Sequence, residues 1–158
     1  EADFDGEVIT QNVDDLHERA GSTRVTHLHG ELRKLRSSRD PALIVPIEGW
    51  EQPLDATAPD GVLLRPHIVF FGEAVPQFDH AARIAAAADV LIVVGTSLAV
   101  YPAASLVHYV RPGVPIYLVD PGAPDVRTIR NPLTHLRERA AGGMPELAER
   151  LRRESQPE

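Results

Sequence analysis

The strongest constraint on this chain is an alternation of two hydrophobic patterns. GEVIT (6–10), HIVFF (67–71), VLIVVG (90–95) and VPIYLVD (114–120) are short runs rich in β-branched and aromatic residues, the composition of strands. VLIVVG is apolar throughout, which predicts a strand covered on both faces. Helical segments lie between the runs. DDLHERAG (14–21) opens on aspartates and closes on Gly21, an N-cap signal and a C′ glycine. FDHAARIAAAAD (78–89) is alanine-rich, and YPAASLVHYVRPG (101–113) carries a proline in its first turn and stops at Pro112-Gly113. MPELAERLRRES (144–155) places Leu147 and Leu151 on one face. Strand and helix in alternation imply an α/β fold, a parallel sheet with helices on both faces joined by right-handed crossovers.

Residues 31–64 break the alternation. They carry several prolines and no sustained period, so this stretch reads as a small inserted subdomain, with Trp50 as a local anchor. The main α/β portion is then 1–30 together with 65–151, and 152–158 (RRESQPE) is a frayed tail. A length of 158 residues allows one domain with a real core. No apolar run approaches the roughly 18 residues of a membrane span, and the acidic opening EADFDGEVITQNV lacks the pattern of a signal peptide. A cytoplasmic location is the expectation. The net charge of −7 argues against direct nucleic-acid binding and is compatible with lysine-rich protein partners. Cysteine is absent, which removes disulfides, cysteine-ligated zinc and a thiol nucleophile from these residues.

Open α/β sheets bind ligands outside the carboxyl ends of their strands. After the first run comes TQNVDDLH, after the third GTSLAVYPAAS, after the fourth DPGAP. A Gly-Thr-Ser turn leading into a helix offers backbone N–H groups and two hydroxyls to phosphate or ribose, and Asp120 is placed to accept from a ribose. Three such turns at successive strand ends point to a nucleotide, although neither G-x-G-x-x-G nor a P-loop occurs. In VTHLHGEL (25–32), His27 and His29 flank Leu28 beside Gly30. They could be metal ligands, a base with a companion, or ordinary strand residues.

ITQNVDDLHERAGS, VTHLHGEL, LRPHIVFFGEAVP and VGTSLAVYPAASL, in this order and register, resemble the sirtuins, the NAD-dependent protein lysine deacylases, and most closely their prokaryotic branch. The resemblance covers the chain from Gly6 to about Leu151. It implies a Rossmann-like sheet, NAD as cofactor and an acylated lysine of a protein as substrate. In that reaction the acyl oxygen attacks the nicotinamide ribose and displaces nicotinamide, and a base takes a proton from the ribose hydroxyls. The resemblance assigns the base to His29, the histidine directly before glycine. Imidazole exchanges protons near neutral pH, which suits the step. His27 becomes a strand neighbour, important for stability only. Gln11, Asn12 and Asp14 match positions around the nicotinamide ribose, with turn and capping chemistry open to them as well. Gly95, Thr96 and Ser97 match the ribose and phosphate loop. Phe71, Gly72 and Glu73, with Val100, bracket the peptide, which adds as a strand, and Val69 and Phe70 line the acyl-lysine tunnel. Plain core packing remains the alternative for these apolar residues.

Three departures accompany the resemblance. The zinc module of the family uses two pairs of cysteines. Here Ser37 stands about where the first falls and no other follows, and His27, His67 and His80 lack ligand spacing, so no metal is expected. Asp120 stands where the family usually has asparagine on the adenosine ribose. The family's G-A-G-x-S loop and D-F-R segment lie N-terminal to TQN, so the first βαβ unit is missing from these residues. Residues 1–158 alone are therefore expected to be inactive and to bind NAD weakly. Two rivals remain: a non-catalytic module for NAD or ADP-ribose, and a mono-ADP-ribosyltransferase or NAD hydrolase.

Overall fold

The computed structural model describes residues 4–49 and 51–155. Trp50, read above as an anchor, lies outside the described residues, as do 1–3 and 156–158. The chain divides into two compact units, Asp5–Gln77 and Phe78 onward, the latter joined by Phe4.

In the first unit, β1 (Val8–Thr10) and β2 (Val25–His27) form a parallel pair in which Thr10 lies opposite His27. The single turn α1 (Leu16–Arg19) joins them. Asp15 holds the N-cap position without a side-chain bond. Asp14 does the capping instead, its Oδ1 accepting from the Leu16 N–H at 3.1 Å. At the other end the Ser22 N–H reaches the His17 carbonyl at 3.0 Å and the Gly21 N–H reaches Glu18 at 2.9 Å. That is a Schellman closure, and its φ of +98° at Gly21 is the reason for glycine there.

Residues 30–68 supply a three-stranded antiparallel sheet in the order β4-β3-β5, from β3 (Gly30–Ser37), β4 (Ile44–Pro46) and β5 (Leu64–Ile68). Two expectations change here. The run at 67–71 is a strand only to Ile68, and it pairs antiparallel with β3 rather than joining a parallel sheet. The aperiodic stretch contains two strands, hidden because β3 buries three consecutive residues, Leu35, Arg36 and Ser37, and so shows no alternation.

Ser37, 2% exposed, ties the far side of this sheet together. Its Oγ donates to Asp60 Oδ2 at 2.8 Å and accepts from the Arg39 and Asp40 N–H groups at 3.1 and 3.2 Å. Asp60 Oδ1 accepts from the Val62 N–H, and Arg39 donates to the Asp60 carbonyl at 3.0 Å. The Ser37 hydrogen bond leads the causes that lower the Asp60 carboxyl pKa. A zinc ion does not fit these residues: thiolates are absent, the Ser37 hydroxyl is committed, and no group of three or more His, Asp or Glu suited to a metal occurs among the described residues.

In the second unit, β6 (Leu91–Val94), β7 (Ile116–Val119) and β8 (Leu133–Leu136) form a parallel sheet in that order. Alternate residues of β7 face opposite sides. Ile116 packs with Ala85 of α2 (Phe78–Ala87) and with Val107 and Val110, while Tyr117 and Val119 pack against Leu147 of α3 (Ala140–Ser155). Helical elements thus cover both faces, as expected. Full burial of a side chain such as Leu147 contributes about 1.5–3 kcal/mol. The order differs from expectation in one respect: β6, read as the doubly covered strand, is at the edge of the described sheet, and β7 is the strand buried at all four positions. The segment 101–113 forms a six-residue 3₁₀ helix, Ala103–His108, with Ser105 Oγ bonding back to the Pro102 carbonyl at 2.7 Å. α3 begins four residues before Met144 and continues through Ser155, into the segment read as tail. No helix among the described residues is long and apolar enough to cross a membrane.

Candidate functional site

The turn after β1 and the turn after β2 lie side by side at the carboxyl ends of two parallel strands, the position where α/β folds present ligand-binding groups. Four successive carbonyls of the first turn are each satisfied from the second. The Leu28 N–H donates to Thr10 at 2.9 Å and the Leu32 N–H to Val13 at 2.8 Å. The two carbonyls between them take imidazoles: His29 Nδ1 lies 3.2 Å from the Gln11 oxygen and His27 Nδ1 lies 3.2 Å from the Asn12 oxygen. Neither contact is a metal pair, and the two histidines play separate parts.

A carbonyl only accepts, so the His29 Nδ1–H donates to Gln11 and the neutral ring keeps its lone pair on Nε2. That nitrogen has no hydrogen-bond partner among the described residues and can accept a proton. Val69 is fixed beside this histidine by its N–H on the His29 carbonyl at 2.9 Å. It also lines a cavity of about 290 Å³ with Leu28, Gly30, Arg36, His67 and Pro76. His67 adds a buried Nδ1 without a partner, and burial pushes its pKa down. The Asn12 N–H is held by Thr10 Oγ1 at 3.0 Å. The side-chain amides of Gln11 and Asn12 make no hydrogen bond among the described residues.

Phe70, Phe71, Gly72 and Glu73 form a tight turn, with the Glu73 N–H on the Phe70 carbonyl and the Phe70 N–H on Glu73 Oε2 at 3.1 Å. Phe71 is wholly exposed, and the Phe70 ring lies under the Arg65 guanidinium at 4.8 Å. Glu73 turns inward. Its carboxylate receives Arg65 at 2.6 Å and Arg36, only 8% exposed, at 2.9 Å. Both guanidinium groups also donate to the Ile68 carbonyl. Sequence reasoning missed Arg36 and Arg65. A basic residue on a strand gives no signal until its acidic partner, more than thirty residues away in the case of Arg36, is known.

The Arg65 hydrogen bond, then the Phe70 N–H, lower the Glu73 pKa from 4.5 to about 2. A carboxylate depressed on folding adds stability above its unfolded pKa and loses it as pH falls through the folded value. The lock is therefore intact above about pH 4.5 and lost on the way to about pH 2. Melting curves across that range should show the loss in the native protein, and Glu73→Gln should remove this part of the pH dependence. Superimposable profiles for the two proteins would refute the lock.

In the second unit, Gly95, Thr96 and Ser97 follow β6 and Asp120 follows β7, at the carboxyl ends of neighbouring parallel strands. The Gly95 N–H donates to the Val119 carbonyl at 3.0 Å, and Thr96 Oγ1 accepts from the Leu98 N–H at 3.2 Å. Asp120 commits Oδ1 to the Gly122 N–H at 2.7 Å. Val100 is exposed, its carbonyl accepting from Ala104.

Residues 2–102 match the profile of the Sir2 family. The chain belongs to the Sir2 family. An NAD-dependent protein deacylase of Bacteroides thetaiotaomicron is 49% identical over 156 residues, covering 96% of this chain and 66% of that protein. A Helicobacter pylori protein of the same name is 47% identical, covering 91% of this chain and 62% of its own length. This Sir2-family chain thus spans about two thirds or less of the curated relatives it matches. Among solved structures, a Sir2 homolog–NAD complex superposes with a TM-score of 0.79 at 41% identity, covering 94% of this chain and 59% of that one. A Sir2–p53 peptide–NAD+ structure gives 0.71 at 30% identity, covering 92% and 62%. The fold is α/β and Rossmann-like, as the sequence led us to expect.

Proposed function

We propose that the whole protein carrying this chain is an NAD-dependent protein lysine deacylase, transferring the acyl group of a modified lysine to ADP-ribose with release of nicotinamide. The observation that supports it most directly is the tie between His29 Nδ1 and the Gln11 carbonyl. It turns a proton-accepting Nε2 into a fixed feature of the strand-end turn that carries the Gln11 and Asn12 amides. NAD, when bound, supplies an electrophilic ribose carbon and nicotinamide as its leaving group. His29 takes a proton from a ribose hydroxyl, and Gln11 and Asn12 orient that ribose, while Asp14 holds the turn through its cap on α1. Gly95, Thr96, Ser97 and Asp120 serve the phosphates and the adenosine ribose. Val69 and Phe70 accommodate the acyl-lysine chain. Phe71, Gly72 and Val100 receive the peptide backbone, and Glu73 acts indirectly, by fixing the turn. The deacylase names of the relatives and the NAD complex of a neighbouring structure support this reading.

The test is to incubate the whole protein with NAD and an acetyl-lysine peptide and to follow nicotinamide and deacylated peptide together. One nicotinamide per lysine freed, and none without peptide, is the expected outcome. Nicotinamide released without peptide would make the protein an NAD hydrolase. Label transferred to protein would make it an ADP-ribosyltransferase, and NAD binding without turnover a module.

A further inference from the structure

The Asn12 carbonyl is held by a side chain that the reaction itself has no use for. His27 is buried at the end of β2, with Nδ1 on the Asn12 oxygen and Nε2 2.8 Å from Glu18 Oε1. Both partners accept only, so the ring fills both contacts when it carries both protons. The hydrogen bond from His27 is the first cause lowering the Glu18 pKa. Asp14, Asp15, Glu31 and Arg33 line a cavity with this pair, and Arg36 and His67 line a second cavity with His27. Backbone N–H groups reach the Thr10 and Val13 carbonyls on either side, while among the described residues the Gln11 and Asn12 carbonyls meet only imidazoles.

We propose that His27 is a positioning residue for the reaction. Its Nδ1–H on the Asn12 carbonyl fixes the turn whose preceding carbonyl orients His29, and Glu18 serves only to hold the His27 ring. The inference rests on the deacylase reading. It separates the two ends of one side chain, which two substitutions can imitate singly. His27→Asn places an amide N–H where Nδ1 stands, keeping the contact to Asn12 and losing Glu18. His27→Gln places an amide N–H where Nε2 stands, keeping Glu18 and losing Asn12.

Both variants are made in the whole protein and assayed for nicotinamide release with NAD and acetyl-lysine peptide. His27→Asn is expected to stay within about threefold of the native kcat. His27→Gln is expected to lose roughly 10–100-fold in kcat, the scale of a misplaced catalytic group, with KM for NAD changed far less. Hydrogen exchange by mass spectrometry should show residues 10–14 exchanging faster in His27→Gln than in His27→Asn. Equal kcat in the two variants, or the reverse order, overturns the inference. Should the native protein release no nicotinamide, the deacylase reading falls, and equal exchange rates in the two variants would then still overturn the clamp.

Discussion

Replacing His29 by alanine in the whole protein should lower kcat for deacylation by roughly 10²–10⁴-fold, the usual worth of a positioned general base, with a much smaller change in NAD affinity. One ring would then do two jobs. Nδ1 is occupied by the Gln11 carbonyl at 3.2 Å, and the chemistry falls to Nε2. Alanine abolishes both, and it leaves a carbonyl without its donor, which costs about 1–3 kcal/mol where the site is buried. Asparagine at the same position keeps a donor for Gln11 and has no proton acceptor where Nε2 stands. His29→Asn should thus be as inactive as His29→Ala and melt closer to the native protein. A His29→Asn variant with more than half of native turnover would remove this residue from the proton transfer.

Gly30→Ala should be the most damaging single methyl in the first unit. A Cβ built there lies 1.9 Å from the His67 carbonyl oxygen and 2.8 Å from its carbon, both backbone atoms of β5. The position also has a φ of +85°. Left-handed backbone costs an L-residue about 1–2 kcal/mol, and overpacking about 1–3 kcal/mol. The sum is a large share of the roughly 5–15 kcal/mol that keeps a domain folded. Thermal melting should fall by about 10 °C or more, or the variant should fail to accumulate as folded protein. Native-like melting would mean that β3 and β5 do not approach this closely. The glycine of the His-Gly pair is thereby explained without chemistry: Gly30 pairs with Ile68 across the small sheet, and a side chain would push the strands apart directly behind the base.

What could be read from the residues was what local rules encode. Asp14 and Gly21 announce the ends of α1 because caps use nearest neighbours in sequence. The faces of β7 follow from alternation once its helices are placed. Strand order did not follow. VLIVVG is the more uniformly apolar run, yet IYLV, tyrosine included, occupies the middle. An edge strand between two helical layers needs an apolar sequence as much as a central one does. Pairing direction was equally silent in HIVFF, since apolar content is the same in parallel and antiparallel ladders. For the site, motif resemblance separates His29, the base, from His27, a strand neighbour, but does not show which carbonyl each ring meets. Nothing in THLHG says that His27 meets a carbonyl fifteen positions upstream. The FGE resemblance groups Glu73 with the peptide-binding residues; the partners of its carboxylate, Arg36 and Arg65, come from two different strands and leave no local sign in the sequence.

The four carbonyls from Thr10 to Val13, each matched to a donor between His27 and Leu32, also bear on how such a sequence can change in length. One extra residue within either segment would shift its donors or acceptors by a place and leave several of them facing nothing. The α1 turn between the segments takes no part in the matching apart from its Glu18 contact. Residues gained between Ser22 and β2 would leave all four pairs, and the closure of α1 at Gly21 and Ser22, intact. The two turns are therefore bound to a fixed length relative to each other, whereas the loop joining them is free to vary. That loop lies at the amino-terminal ends of β1 and β2, beside Val8, so a protein built this way can remodel it without disturbing the two turns at the other end of the strands.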